Sequence, residues 1–376
     1  MAATASNKNL DKLTLFLCGD VMTGRGIDQV LPHPSDPRLY ESYTDSALEY
    51  VALAEKAHGP VPKPVDFSYI WGDALKEFER FAPDIRVVNL ETSITTSGDY
   101  EPKGINYRMH PENTSCLTAA KIDCCVLANN HVLDWGRGGL LETLSSLQAA
   151  GLKTAGAGHD DIEALQPATF LSGNSRLLVF AVATEDSGVP RHWRASGTQP
   201  GIVLLPEVSA GAADALARQV QAMKRPGDII VVSIHWGGNW GYEIPQAQRE
   251  FARKLVDASV ADVVHGHSSH HPKAIEVYNE RLILYGCGDF LNDYEGLSGY
   301  EEYRSDLVLM YFVTLGAGVG DLLSLTLVPM ETRRFRLQRA SPLNAEWLTG
   351  RLDAEAQCLG ARVISTEGNT CALQWK

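Results

Sequence analysis

An α/β fold is predicted by three features of this chain. Short apolar runs rich in β-branched residues recur along it, and each stops at a Gly, Asp, Asn, Glu or His. Between them lie segments whose apolar residues are spaced three and four apart, as on one face of a helix. The composition, 44% hydrophobic and 21% charged over 376 residues, is that of a globular protein able to bury a sizeable core. Folds of this class build their sites at the C-terminal ends of strands. The polar residues that stop each run are therefore the candidates for chemistry.

The first run, Leu13-Thr14-Leu15-Phe16-Leu17-Cys18, reads as a buried strand stopping at Gly19-Asp20. Asp20 in that turn is placed to ligate a metal, with a helix N-cap as the plainer alternative. Arg25, a few residues on, can meet an anionic substrate group or pair with a surface acid. Residues 32–67, rich in proline and polar groups, read as a surface insertion. It holds a short helix over 46–57, and Tyr40, Tyr43 and Tyr50 belong to a substrate rim. A helix over 71–80 follows, with Ala74, Leu75 and Phe78 on its buried face. The second strand, 85–91, ends on Glu91, which is costly to bury without a cation. Asn89 beside it suits hydrogen bonds to loops.

The third strand, 122–128, runs into Asn129-Asn130-His131-Val132-Leu133-Asp134. An amide oxygen (Asn130), an imidazole (His131) and a carboxylate (Asp134) thus meet at one strand–helix junction. Asp134 is placed to orient His131 through its second ring nitrogen, and a capped helix start is the alternative. A helix over 138–150 closes at Gly151, and a strand over 176–183 precedes an irregular loop, 184–201. That loop carries His192 and Trp193 and reads as a second substrate wall. After a helix over 209–224, a strand from 229 stops at His235. Gly237, Gly238 and Gly241 let backbone approach, and Trp236 and Trp240 supply an aromatic wall.

A helix over 246–258 leads to the apolar run Val260–Val264, after which four of the eleven histidines crowd together: His265, His267, His270 and His271. Imidazole is the commonest neutral metal ligand, so such a cluster favours a metal over a titrating loop. Residues 282–291 give another strand and turn with Asp289, and 306–315 and 322–330 an antiparallel pair. A main domain over 1–335 is then followed by a small appendage over 336–376, comprising a helix over 345–359 and a hairpin.

The formal charge of −13 argues against a nucleic-acid partner. No run of about 18 apolar residues suggests a membrane span, and the N-terminus lacks a signal-peptide pattern, so a cytoplasmic protein is expected. Seven cysteines, mostly in apolar runs, read as reduced, buried residues rather than disulfides.

Asp20, Glu91, Asn130 with His131, His235, and His267 with His270 all sit where strands end, as a two-cation site requires. One carboxylate can bridge two ions about 3.5–4 Å apart, and water between them becomes hydroxide near neutral pH. In sequence, Gly19-Asp20, Asn89-Leu90-Glu91, Asn129-Asn130-His131 with Asp134 and Gly136, His235-Trp236-Gly237, and Gly266-His267 with His270 resemble the bacterial CapA/PgsA family. This poly-γ-glutamate capsule biosynthesis family is similar to the calcineurin-like metallophosphoesterases, and the resemblance spans roughly residues 13–330.

The resemblance implies a metallophosphoesterase-like two-sheet β-sandwich flanked by helices. It implies Asp20 and His270 as ligands of a first divalent metal, Glu91 as a bridge, and Asn130, His235 and His267 as ligands of a second. His131 becomes the general acid or electrostatic residue, with Asp134 behind it. The metals are one or two ions drawn from Mn, Zn, Fe, Ca or Mg. Two departures leave the first site poorer in ligands: Met22 stands where phosphoesterases carry a histidine, and Glu91 replaces an aspartate.

Three activities are compatible with this pattern. The first is metal-dependent hydrolysis of a phosphoester or glutamyl-type amide, with Arg25 holding the substrate. The second is a metal-dependent peptide epimerase, as in cytoplasmic relatives associated with peptide natural products, with α-proton exchange at His131. The third is a non-catalytic subunit in poly-γ-glutamate synthesis. His131 and Asp134 are not needed to hold a cation and favour an enzyme, whose substrate is a small molecule or a peptide.

Overall fold

The computed structural model describes residues 12–173 and 175–376. The expectation about targeting signals in residues 1–11 lies outside the described residues. In chain order the main elements are β1 (Lys12–Val21), α1 (Leu48–His58), α2 (Ala74–Phe81), β2 (Ile85–Leu90), β3 (Cys124–Val126), α3 (Gly136–Ala149) and β4 (Lys153–Ala155). There follow β5 (Ser175–Thr184), α4 (Ala210–Met223), β6 (Asp228–His235), α5 (Gln246–Asp257), β7 (Val263–His267), β8 (Ile275–Tyr278), β9 (Arg281–Leu284) and β10 (Asp289–Leu291). The chain ends with β11 (Leu307–Gly316), β12 (Leu322–Thr332), α6 (Pro342–Gln357), β13 (Ala361–Thr366) and β14 (Thr370–Trp375).

These strands form two mixed sheets. The first, ten-stranded, runs β13-β14-β12-β11-β1-β2-β3-β4, with β10 also parallel to β1. The second, seven-stranded, has β5, β6, β7 and β9 in parallel and β8 antiparallel to β9. Side chains alternate across a strand, and β5 and β6 show what that alternation does. Leu177, Val179, Ala181, Ile229 and Val231 join a core shared with the first sheet. Leu178, Phe180, Val182, Ile230, Val232 and Ile234 point the other way, onto Leu216 and Val220 of α4 and Phe251 and Leu255 of α5. Both faces of the second sheet are thus covered, which explains why its strands read as continuous apolar runs. The fold is a metallophosphoesterase-like α/β sandwich, as the resemblance implies.

The two sheets meet at the ends of β1 and β7, where His265 Nε2 donates to the Cys18 carbonyl at 2.7 Å. The hairpin β13–β14 extends the first sheet through Thr326↔Ala372 and Leu327↔Cys371, and α6 packs on it. The third strand is shorter than the sequence suggests. The chain leaves the sheet at Leu127–Asn129, where the Asn129 amide donates to Asn89 Oδ1 and to the Leu90 carbonyl. Two one-turn helices, Ser115–Ala119 and Asp161–Leu165, are too short to leave a periodic trace in the sequence. All seven cysteines are free, and only Cys358 is exposed. Among the described residues no helix is long and apolar enough to cross a membrane.

Candidate metal centre

The strand ends converge on one buried cluster. Asp20 (end of β1), His235 (end of β6) and His267 (end of β7) can present ligand atoms within 4.8 Å of one another. Asp20, His270 and Asp289 form a second such group. Asp20 is common to both, whereas the resemblance implied Glu91 in the shared position. Glu91 lies alongside, with Asn89 Nδ2 donating to Asp20 Oδ1 at 2.7 Å and to Glu91 Oε2 at 3.3 Å. Asn89 therefore holds two carboxylates together through its amide nitrogen, while its Oδ1 accepts from Asn129 in the loop after β3, the kind of loop contact the sequence suggested. The carboxylates Asp20, Glu91 and Asp289 come from the first sheet, and the imidazoles of His235 and His267 from the second.

Asp289 is the residue that sequence reasoning passed over, although a signal was there. Cys18-Gly19-Asp20 recurs as Cys287-Gly288-Asp289, and the two aspartates pair in register on parallel strands. A side chain at position 19 would place its Cβ 1.6 Å from the Gly288 carbonyl oxygen, so this close approach needs glycine. His270 Nδ1 lies 2.8 Å from Asp289 Oδ1.

Charge is poorly accommodated in this pocket without a cation. Burial, then the neighbouring Asp289, pushes Asp20 up to about 7. Burial and then Asp20 drive Glu91 well above the ordinary carboxylate range. Burial likewise holds His235 and His267 well below the usual imidazole value. Burial opposes charge on His270 as well, but the Asp289 carboxylate outweighs it and moves His270 up. The donors also fit a metal in detail. The Asn130 Oδ1 and His235 Nε2 atoms are buried without a hydrogen-bond partner, a cost that a cation would remove. The Nδ1 atoms of His235 and His267 stand 2.8 Å apart, and Ser233 Oγ braces His267 Nε2 at 2.8 Å. These side chains form a possible metal-binding cluster.

His131 borders the cluster, its Nε2 3.8 Å from Glu91 Oε1. Its Nδ1 is 2.6 Å from Asp134 Oδ2, which also accepts from the Tyr107 N–H at 2.6 Å. A carboxylate only accepts, so Nδ1 carries the proton and Nε2 is left open toward the cluster. Burial pushes His131 down to about 4, against the pull of Asp134. The imidazole is thus neutral, with Nε2 turned toward the cluster; the resemblance implied a general acid or electrostatic residue at this position. Lys103, whose Nζ lies 2.9 Å from Asp134 Oδ1 and against the Asn130 carbonyl, was not foreseen.

Other expected residues take different places. Arg25 is buried, and its guanidinium is committed to Asp293, to Glu41 at 3.0 Å and to the Tyr50 hydroxyl at 2.8 Å. It pairs inside the protein rather than with a substrate anion. His265 is a bridge between sheets, and His271 packs among Trp240, Tyr242 and Tyr303. Trp193 and Trp236 are buried, with Trp236 Nε1 bonded to the Tyr285 carbonyl, so neither forms a wall. Trp240 alone of the three lines a cavity by the cluster. Met22 is buried against the Tyr294 hydroxyl.

Comparison with known proteins decides the family. The model of the bacterial capsule synthesis protein PGA_cap matches residues 14–294. The chain belongs to the PGA_cap family. It is 46% identical to a probable polyglutamine synthesis accessory protein of Mycobacterium tuberculosis over 364 residues, 96% of each chain. It is 26% identical to the PGA biosynthesis protein CapA of Bacillus subtilis over 304 residues, 80% of this chain and 68% of that one. The capsule biosynthesis protein CapA of Bacillus anthracis is 23% identical over 332 residues, 82% of this chain and 66% of that one. The PGA_cap match contains every residue of the cluster, from Asp20 to Asp289.

Proposed function

We propose that the chain is a metal-dependent hydrolase that cleaves a glutamyl-type amide or a phosphoester. The observation that carries this reading is His131, neutral and held by Asp134, with its open Nε2 facing the cluster. Holding a cation requires no such pair. Asp20, Glu91, Asn130, His235, His267, His270 and Asp289 would hold one or two divalent cations, which when bound supply Lewis acidity to water and to the scissile group. His131 Nε2 takes a proton from the attacking water, and Asp134 steadies the imidazolium. His131 then returns that proton to the departing amine nitrogen or alkoxide oxygen, which closes the cycle. The names of the relatives, polyglutamine synthesis and PGA biosynthesis, support the glutamyl amide over the phosphoester.

The word accessory in the mycobacterial relative's name supports a second reading, a subunit that binds metal without turnover. The test is to purify the protein without chelator, measure bound metal by elemental analysis, and incubate it with Mn²⁺ and oligo-γ-glutamate or an aryl phosphoester in heavy water. Hydrolysis is expected, with metal and turnover both lost in His235→Ala and turnover alone lost in His131→Ala. Deuterium uptake without cleavage would replace hydrolysis by epimerisation. Bound metal with neither outcome would leave the accessory role.

A further inference from the structure

Two histidines of the site, His131 and His270, are joined by a pair of phenols. Tyr107 meets His131 edge to face with 4.5 Å between ring centroids, and Tyr294 meets His270 in the same way at 5.4 Å. The two hydroxyl oxygens lie 3.0 Å apart. Arg25 lies over both rings, 4.3 Å from the centroid of Tyr107 and 5.8 Å from that of Tyr294, and is held there by Glu41 and Asp293. Both phenols are thus packed between fixed groups.

Two hydroxyls carry two protons, and the bond between them uses one. If Tyr294 donated to Tyr107, the buried Tyr107 proton would have no acceptor among the described residues, so Tyr107 donates and Tyr294 keeps the spare proton. The acceptor left for that proton is the Met22 thioether, with sulfur 3.7 Å from the Tyr294 oxygen. A thioether accepts weakly, so the proton is available to a better oxygen acceptor. Tyr294 also lines the cavity of about 660 Å³ that opens beside His270. The other cations of this wall are committed, Arg25 to Asp293 and Glu41, His58 to Glu295 and Arg304 to Asp306. With a divalent cation held by Asp20, His270 and Asp289, the charge of the carboxylates is offset, and this corner favours an oxygen that carries or develops negative charge. A neutral hydroxyl beside it donates to that oxygen without adding charge, and a donor already in place is what stabilises charge as it develops.

Resting on the hydrolase reading for the cation and for where the substrate lies, we infer that Tyr294 is a catalytic residue whose hydroxyl donates a hydrogen bond to the tetrahedral oxyanion of the substrate. The probe is inorganic phosphate, titrated calorimetrically into the full-length protein loaded with Mn²⁺, with bound Mn²⁺ counted by elemental analysis. Tyr294→Phe removes the hydroxyl and keeps the ring against His270. It should bind phosphate roughly ten- to a hundredfold more weakly, the range for a lost hydrogen bond to a charged group, with Mn²⁺ content unchanged. Tyr300→Phe, which alters a phenol of the same wall stacked on Trp240 instead, should bind phosphate as the wild type does. Unchanged binding in Tyr294→Phe, equal weakening in Tyr300→Phe, no binding by the wild type, or loss of Mn²⁺ from Tyr294→Phe would each overturn the inference. Turnover of an aryl phosphoester and of oligo-γ-glutamate reads the hydrolase separately. Weaker phosphate binding by Tyr294→Phe with no turnover by the wild type upholds the oxyanion donor and removes the hydrolase. Turnover with the same kcat in both proteins removes the donor and keeps the hydrolase.

Discussion

Asp289 stands in register beside Asp20 on the neighbouring parallel strand and receives the His270 imidazole at 2.8 Å. At the first metal position that the resemblance implies, which Met22 leaves short of a histidine, Asp289 would supply a further carboxylate. Asp289→Ala should lower bound metal by about one equivalent per chain while the Asp20–His235–His267 group keeps its ion. Elemental analysis of the purified variant checks this, and unchanged stoichiometry would remove Asp289 from the ligand set.

Cation binding should also register as stability. A ligand that binds only the folded state at about 100 times its Kd adds about 2.7 kcal/mol. Thermal unfolding of chelator-treated protein should therefore move up on addition of Mn²⁺. His235→Ala should show little of this shift, because it deletes an imidazole whose Nε2 is otherwise buried without a partner.

The contact between Gly19 and Gly288 should be intolerant of any side chain. Gly19→Ala puts a methyl 1.6 Å from a backbone oxygen, and no flexible group is available to yield. A loss above about 4 kcal/mol is expected, seen in urea unfolding or as a failure to accumulate soluble protein.

A pH dependence away from the cluster follows from Asp228. Burial works to raise this carboxyl, but the hydrogen bonds from Arg176 at 2.8 Å and from the Arg225 N–H at 2.7 Å outweigh it and hold it below its ordinary value. A depressed carboxyl contributes stability that is full above the unfolded-state value of about 3.9 and is lost as pH falls through the folded value. Asp228→Asn should accordingly be less stable than wild type at pH 7, with the gap closing below about pH 4. Urea midpoints across that range measure it, and a gap independent of pH would contradict the assignment.

Strands and helices were legible wherever burial imposed a period. The run before His235 and the apolar stripe of the helix at 246–258 both appear where the sequence predicts them. Of the site, Asp20, Glu91, His131, Asp134, His235, His267 and His270 were legible because each ends or follows an apolar run. Lys103 and Tyr107 were not. They lie in a loop without period, and they reach His131 only through tertiary folding. Arg25 misled for a related reason. The acids that neutralise it, Glu41 and Asp293, are 16 and 268 residues away along the chain. Chemical type alone does not reveal whether a charge has already found its partner.

With a cation bound, the division of donors between the sheets, carboxylates from one and imidazoles from the other, would make the cluster a check on assembly. A chain in which one layer had formed and the other had not would present only half of the coordination sphere. Such a half-sphere would hold an ion weakly, so retention of the ion would report that both layers had docked. Any chemistry that needs the ion would then be withheld from partly folded copies of the protein without a separate control.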